Sequence, residues 1–454
     1  MLSPILFSVF VNGLAREIKG KGLGVRWGGG ATQLLLYADD IVLLAETADD
    51  LQRMLDIVTE YSRKWRFGLN TKKGKSEVMV FGREGKGRAE FWLAGQKLGR
   101  TESYKYLGVE IRERLDFKRY KSKILREARK RIAMITGMGV REGVLPVRDA
   151  VSAWKALARP VVEYAAAVWG GVKWNEGEVL QREMGRRILR CSTLMTNEVI
   201  LGELGWTTLK GRRDWIRLRY WKRMVMMKGR RLVRRVYEEG RKQQSEGRKS
   251  EWCDYTKNLL EELGLERAWE NEEEVKGKGW EAAVSKAIFE REQKQWLERM
   301  EGKEKLRTYR TLKRKLEYEE YLNGGGGEGR EALTAVRGGT NALRIETGRH
   351  RITNRHRALE VEERVCLVCA SGEVEDERHF VMRCSYYADL REKMWEEVGE
   401  LKGEEEEKFR RLIGDGTSFP KRIRVHAAAR KFVRDALRRR RQIVTRMLDQ
   451  RTRF

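Results

Sequence analysis

The stretch Leu34-Leu35-Leu36-Tyr37-Ala38-Asp39-Asp40-Ile41-Val42-Leu43-Leu44 constrains this chain more than any other. Two short apolar runs, each the length of a buried strand, flank a pair of adjacent carboxylates. Ala38-Asp39-Asp40 is expected to form the tight turn between them, because Asp tolerates turn geometry and competes with the strand ladder. A hairpin with two acids at its tip places like charges side by side. Their natural partner is a divalent cation that prefers hard oxygen ligands. The same four letters, Tyr37 to Asp40, also fit a solvated turn in any hairpin, so the surrounding sequence has to decide.

Composition narrows the field. The chain has 454 residues, which sets a prior of about three domains, and 41% of them are apolar, enough for real cores. Lys and Arg number 96 against 68 Asp and Glu, a net charge of +28. Such an excess points to a polyanionic partner, nucleic acid ahead of a membrane surface. The 14 Trp, interleaved with Arg and Lys, suit stacking on bases, although most Trp in a chain of this size belong to the core. No apolar run is long enough for a membrane-spanning helix. The apolar opening, Leu2 to Leu14, lacks a basic leader and a small-residue cleavage site, and Asn12-Gly13 interrupts it, so it is not a signal peptide. Five cysteines, three of them clustered between Cys366 and Cys384, argue for metal binding in a reducing compartment over a disulfide framework. The expected location is therefore intracellular, in the cytoplasm or nucleus, and not secreted.

Along the chain, Met1 to Ile18 reads as a helix with Ser3 as cap, Pro4 in its first turn and Phe7, Phe10, Val11 and Leu14 on its apolar face. Gly20 to Gly30 reads as a glycine-rich connector. Thr47 is expected to cap a helix running to about Trp65, with Leu51, Leu55, Val58 and Tyr61 at helical spacing. Glu77 to Phe81 and Phe91 to Leu93 are expected to pair as strands across a basic turn at Gly85-Lys86-Gly87-Arg88. Tyr104 to Val109 reads as one further strand with Gly108 as a bend. From Phe117 to about Met227 the pattern is helical. Arg241 to Ser250 reads as a polar linker, Trp252 to Leu322 as a second helical region, and Asn323 to Arg330 as a flexible glycine linker. Lys421 to Phe454 reads as an Arg-rich helix.

Cys366, Cys369, His379 and Cys384 form C-x2-C-x9-H-x4-C. Two thiolates separated by two residues grip one metal from a tight turn, and a His with a later Cys near a helix start completes a tetrahedron, the donor set of Zn2+. The site is closed, hence structural rather than catalytic. Glu373, Glu375 and Asp376 fill the loop, and His350 and His356 in the basic loop nearby read as phosphate-facing or solvent-exposed. For the acid pair, phosphoryl transfer to a nucleic-acid 3′ end requires two metals held by carboxylates. Asp39 suits a shared ligand, Asp40 a secondary one, and a third acid must come from elsewhere. Glu46, Asp49 and Asp50 lie at a helix entry, where they serve the helix dipole.

These pieces, in this order, carry a resemblance. Leu2 to Leu14 resembles the palm helix that follows the template-contacting loop of reverse transcriptases, and Tyr37-Ala38-Asp39-Asp40 resembles their metal-binding hairpin. Leu69-Asn70-Thr71-Lys72-Lys73 through Ser76-Glu77-Val78-Met79-Val80-Phe81 resembles the next palm motif, whose lysine is held to protonate the leaving pyrophosphate. Tyr106-Leu107-Gly108 resembles the primer-grip strand. Arg159-Pro160-Val161 through Glu163-Tyr164, with Trp169-Gly170, resembles the region beside the thumb, and Leu343 to Arg349, the Cys/His cluster, Tyr387 and Leu390-Arg391 resemble the C-terminal segment. The order and spacing are similar to those of non-LTR (LINE-type) retrotransposon reverse transcriptases.

The resemblance implies an α+β fold: a partial polymerase palm of antiparallel strands and helices over 1–115, a helical thumb or connection over 116–239, a charged helical region over 240–330, a zinc-binding segment over 331–400 and a basic C-terminal helix over 401–454. It implies Mg2+ (or Mn2+) at Asp39 and Asp40, catalytic help from Lys73 or Lys75 (Gly74-Lys75 looks like an insertion, leaving two choices), and primer contact at Tyr37, Tyr106, Leu107 and Gly108. It implies an RNA template, a DNA primer or target and dNTPs as partners, and no membrane. The family's fingers and the strand with its other essential Asp have no counterpart ahead of Leu2, so the chain alone is expected to be inactive as an RNA-directed DNA polymerase. The alternative is a non-enzymatic, zinc-stabilised RNA- or DNA-binding remnant.

Overall fold

Ser3 opens helix α1 (Ser3–Gly20), which turns Val11, Leu14, Ala15 and Ile18 inward. This computed structural model describes residues 3–28, 30–82, 89–324, 327–349, 358–399, 401–414 and 422–451. The architecture is α+β: mostly helix, with five small two-stranded sheets, four of them antiparallel. The chain divides into two compact units, Met1–Lys123 with Trp221–Asn258, and Ile124–Tyr220 with Leu259–Phe454.

In the first unit α1 packs on α2 (Ala48–Trp65), whose N-cap is Thr47 as the sequence predicts: its side chain accepts the Asp50 N–H at 3.1 Å. Asp49 and Asp50 sit in the first turn, where the helix dipole favours them. Leu14, Ile18, Met54, Leu55, Val58 and Tyr61 form the centre of the core. Gly13 does not break α1. It lets the Tyr61 ring lie against the helix, where a Cβ would meet the Tyr61 hydroxyl at 2.5 Å, and that hydroxyl donates to the Phe10 carbonyl at 2.6 Å. Phe10, Tyr61 and Phe67 add edge-to-face ring contacts. Phe7 and Phe10 are only half buried, while Ile5, Leu6 and Val9 are 62–68% exposed.

The strands depart from the sequence expectation in several places. The glycine-rich connector enters a strand, β1 (Val25–Trp27), paired with β2 (Gly30–Thr32); the Trp27 indole donates to Thr32 at 3.0 Å, and Arg235 lies 4.8 Å from the Trp27 ring centre. β3 (Leu34–Tyr37) pairs with β4 (Asp40–Leu43). β5 (Glu77–Val78) does not pair with the stretch at 91–93. Ala94 and Gly95, both at positive φ, fold β6 (Trp92–Leu93) back onto β7 (Gln96–Lys97), and β5 pairs in parallel with β8 (Gly99–Arg100) instead. The expected basic turn at Gly85-Arg88 lies outside the described residues. Tyr104 to Val109 is two strands, not one: Leu107 (φ 46°) and Gly108 (φ 84°) both take the left-handed region, so β9 (Ser103–Tyr106) turns into β10 (Val109–Arg112).

In chain order the helices continue with α3 (Lys118–Ile135), α4 (Val147–Ala153), α5 (Arg159–Glu163), α6 (Leu209–Val225), α7 (Trp280–Met300), α8 (Gly327–Arg337), α9 (Ala388–Val398), α10 (Glu405–Ile413) and α11 (Arg422–Arg451), with others between. The second unit has a core rich in Trp: Trp154, Trp169, Trp174, Trp206, Trp280 and Trp296 are buried. Two stretches expected to be linkers are partly helical. Leu232–Ser245 is a helix, and α8 begins at Gly327. The reason for the second is burial of its far end: Arg337 is fully enclosed, ion-paired to Glu203 at 2.9 Å and to Glu319 at 3.4 Å, and donates to the Ile413 carbonyl at 2.6 Å, with the Tyr321 ring centre 4.8 Å away. A charge so buried is tolerable only when paired and hydrogen-bonded. The Arg-rich C-terminal helix expected from sequence is α11, and no helix among the described residues is long and apolar enough to cross a membrane.

Candidate active site and candidate metal centre

Tyr37 pairs directly with Asp40, so Ala38 and Asp39 alone make the turn between β3 and β4. Ala38 takes φ 51°, the left-handed region that L residues seldom adopt. Asp39 therefore sits at the tip and Asp40 opens the second strand. This refines the three-residue turn expected from sequence. The flanking runs are also less buried than expected: only Leu34 is fully enclosed, Ile41, Val42 and Leu43 are half buried, and Tyr37 is 62% exposed. The sheet has two strands and no third among the described residues.

The loop after α2 is closed by short-range bonds. The Asn70 side chain accepts the Lys72 N–H at 3.3 Å, the Ser76 hydroxyl donates to the Asn70 carbonyl at 2.9 Å, and the Gly74 N–H (φ 80°) donates to Glu77 at 3.1 Å. Tyr104 on β9 donates its hydroxyl to the Lys75 carbonyl at 2.8 Å. Burial raises the Tyr104 phenol above its ordinary pKa, with Asp40 and then Glu77 adding negative charge; burial and Asp40 raise Tyr106 likewise. The structure thus gathers the acid hairpin, the lysine loop and the β9–β10 hairpin into one neighbourhood. Tyr104 and Glu77 were not singled out from sequence. Their signal is positional: Tyr104 lies two residues before Tyr106, and Glu77 directly follows Ser76. Lys73 and Lys75 are both exposed.

The Cys/His cluster is built differently. Nearly all of it hangs on one short bridge, Val365 to Val374, which brings the Cys366–Cys369 turn back under the chain, with the Cys366 N–H donating to the Glu373 carbonyl at 2.9 Å. His379 opens a single wide helical turn, His379–Arg383, and Cys384 follows just before α9. The four donor atoms lie within 4.8 Å of one another. Cys366 and Cys384 sulfurs are 3.9 Å apart, and the Cys369 sulfur is 3.4 Å from His379 Nε2. A tetrahedral ion with bonds of about 2.3 Å to sulfur and 2.0–2.1 Å to nitrogen needs separations of roughly 3.5–3.8 Å. The donors fit.

The acidic loop residues orient this set. Glu373 lies 3.0 Å from His379 Nδ1, the ring nitrogen that faces away from the sulfurs, and Asp376 accepts the His379 N–H at 2.7 Å. A carboxylate on the far nitrogen fixes the tautomer a metal ligand needs. Glu375 is buried, accepts the Arg344 N–H at 2.7 Å and holds a two-pronged ion pair with Arg440 of α11 at 2.6–2.7 Å. The crowded donors share protons. A bond with Cys384, then burial, pushes the Cys366 thiol up to about 12, and a bond with Cys366 lowers Cys384. His350 and His356 lie outside the described residues. No disulfide forms among the five cysteines. Among the described residues this is the only set of three or more His, Cys, Asp or Glu that converges on one point; Asp39 and Asp40 have no third acid within ligand reach.

Comparison with known proteins bears on the segment that carries the acid hairpin. The family described as Reverse transcriptase (RNA-dependent DNA polymerase) matches residues 1–111, the segment that holds the acid hairpin, the lysine loop and the β9–β10 hairpin. Similar proteins include the RNA-directed DNA polymerase from mobile element jockey of Drosophila funebris, 29% identical over 41% of this chain and 21% of that protein. The probable RNA-directed DNA polymerase from transposon X-element of Drosophila melanogaster is 21% identical over 40% and 21%. The Retrovirus-related Pol polyprotein from type-2 retrotransposable element R2DM of the same fly is 30% identical over 24% and 11%. Residues 1–111 thus match the reverse-transcriptase family, and the similar proteins are RNA-directed DNA polymerases of mobile elements. The chain spans about a fifth of the length of the jockey and X-element relatives it matches.

Proposed function

We propose that this chain is part of an RNA-directed DNA polymerase of a non-LTR retrotransposon, with a polymerase palm in the first unit and helical, thumb-like and C-terminal elements in the rest. The observation that carries the reading is the Asp39-Asp40 hairpin inside the matched segment, with β9–β10 beside Asp40. Asp39 at the tip and Asp40 on β4 are the Mg2+ (or Mn2+) ligands; when bound, such ions activate the attacking 3′ hydroxyl and stabilise the charge that develops on the phosphates. Tyr37, Tyr106, Leu107 and Gly108 contact the primer end, and Lys73 or Lys75 faces the leaving pyrophosphate. RNA template, DNA primer and dNTPs are the partners, in the cytoplasm or nucleus. Cys366, Cys369, His379 and Cys384 hold one Zn2+ as a structural ion.

Two carboxylates do not complete a two-metal site. The chain of residues 1–454 is therefore expected to recruit Mn2+ in the presence of primer–template and dNTP, seen by electron paramagnetic resonance and lost in Asp39→Asn, yet to extend no primer by itself. Mn2+ binding indifferent to Asp39 would remove the metal hairpin from this reading. Asp39-dependent extension by this chain alone would show that the acids present suffice.

A second reading, a non-enzymatic zinc-stabilised nucleic-acid-binding protein, is favoured by the complete Cys/His set beside the incomplete acid set. It predicts nucleic-acid affinity that falls steeply with salt and does not respond to Asp39→Asn with Mn2+ and dNTP present.

A further inference from the structure

One cluster of charge in the second unit is not used by the metal centre. Between α4 and α5 the chain makes one wide π-helical turn, Trp154–Ala158, closed by the Arg159 N–H on the Trp154 carbonyl. Such turns recur at functional sites because they reposition side chains that a regular helix would spread around its circumference. Here the turn is anchored by buried Trp154 and Ala158, while Lys155 remains exposed and Arg159 half buried. Arg159 approaches Glu163 at 3.5 Å, and Arg212 of α6 grips the same carboxylate through Nε at 2.9 Å and Nη2 at 3.2 Å. Trp215, one turn further along α6, has the guanidinium carbons of Arg212 and Arg219 each 5.2 Å from its ring centre.

The charges do not cancel. Arg159 and Arg212 share one carboxylate, Glu163, while Lys155 lies within the field of both and Arg219 stands on the Trp215 ring that Arg212 also approaches. Lys155 has no carboxylate within ion-pair distance among the described residues, Arg159 approaches Glu163 through Nε, and Arg219 is exposed over the Trp215 ring. Burial lowers the Lys155 ammonium below its ordinary pKa, and the charges of Arg159 and Arg212 lower it further; Arg159 is lowered by burial and Arg212 against the opposing pull of Glu163. Burial is the first cause of both shifts and the neighbouring cations come second. The groups stand on packed helices, where an anion from outside would offset their mutual repulsion.

We propose that Lys155, Arg159, Arg212 and Arg219 form a binding site for the phosphodiester backbone of single-stranded RNA, with Trp215 as a flat surface beside it. A phosphate accepts from Lys155 and from the open edge of Arg159, while Glu163 holds the guanidinium planes in place. A solvated basic helix face would spread its charges and pair them; this one sets two of them on one acid. A protein partner would offer carboxylates to the same groups, but the chain's overall excess of +28 favours a polyanion of uniform charge. The identity of that polyanion rests on the nucleic-acid reading above.

The test uses the full chain and a fluorescent single-stranded RNA oligonucleotide, with affinity measured by anisotropy across a salt series. Lys155→Gln and Arg219→Gln, both at exposed positions outside the ion pairs, are compared with Lys286→Gln, an equal charge change on the exposed face of α7. Each of the first two is expected to weaken binding about fivefold at low salt and to reduce the slope of log affinity against log salt by about 0.7, one single-strand phosphate contact; Lys286→Gln is expected to leave the slope unchanged. Wild-type binding with the slope unaltered in Lys155→Gln and Arg219→Gln would overturn the site alone. Equal losses in all three variants would overturn it too, since bulk charge would then explain the affinity. No binding by the wild type would overturn both the site and the nucleic-acid reading.

Discussion

The acid hairpin proposed here to hold Mg2+ and the Cys/His cluster that could hold a metal ion are built in opposite ways. Asp39 and Asp40 stand exposed on a two-stranded sheet whose edges carry no further strand among the described residues. Cys366, His379 and Cys384 are buried, their four-donor set is complete within one short segment, and Glu373, Asp376 and Glu375 fix it from behind. A complete set acts as a clamp, so its loss is paid in stability. An incomplete set holds metal weakly and costs the fold nothing. What separates a structural from a catalytic site here is whether the donors close around the ion.

That contrast can be broken by experiment, starting where the effect is largest. Removing the ion with a strong chelator, or replacing Cys366 by Ser, is expected to unfold the second unit's C-terminal segment, with several kcal/mol lost; a melting curve and metal content near one Zn2+ per chain in the wild type check this, and unchanged melting would mean that the cluster is not a clamp. Arg440→Met strands the buried Glu375 carboxylate next to the cluster and should destabilise by about 3–5 kcal/mol, read by urea unfolding. If it costs no more than a surface change, α11 is not tied to the metal loop.

Acid provides a third lever. His426 on α11 is held down at about 4 by burial and then by the Arg337 charge. Its folded pKa lies below the ordinary value near 6.5, so the unfolded chain binds the proton more readily. Stability from this group is full above pH 6.5 and drains away as pH falls towards 4, on the order of 3 kcal/mol at most. Wild-type melting should therefore drop more between pH 7 and 4.5 than that of His426→Gln, and an identical drop would assign the acid sensitivity to other groups. Smallest of all is Asp39→Asn, expected to shift stability by no more than about 0.5 kcal/mol because the side chain is exposed at a turn. A large loss in that variant would mean the hairpin tip is part of the fold after all.

Much of this was legible before the fold was known. Thr47 as a cap, the inward stripe of α2, the Cys/His spacing and the acid pair between apolar runs all depend on neighbours within a turn or a hairpin, and local geometry suffices for them. The errors share a cause. The strand at 77 was paired with its nearest apolar neighbour, but Ala94 and Gly95 had already turned that neighbour on itself, and Leu107 with Gly108 split one expected strand into two. Likewise, polarity marks 241–250 and 323–330 as linkers, yet the helices Leu232–Ser245 and Gly327–Arg337 run into them, the second with its far end buried at Arg337. Glu373, Glu375 and Asp376 were visible as loop acids, but nothing in their spacing assigned one to a His ring and another to an Arg 65 residues away.

By itself the sequence determined the ligand types, their spacing, the excess of positive charge and the order of motifs, because these reside in covalent neighbours and in side-chain chemistry. Only the tertiary structure decided which strands pair, that Tyr104 and Tyr106 stand within the field of Asp40, that Glu375 ties the Cys/His loop to α11, and that Arg159 and Arg212 share Glu163. Those relations join residues far apart in the chain, and a separation in sequence carries no distance until the backbone has folded.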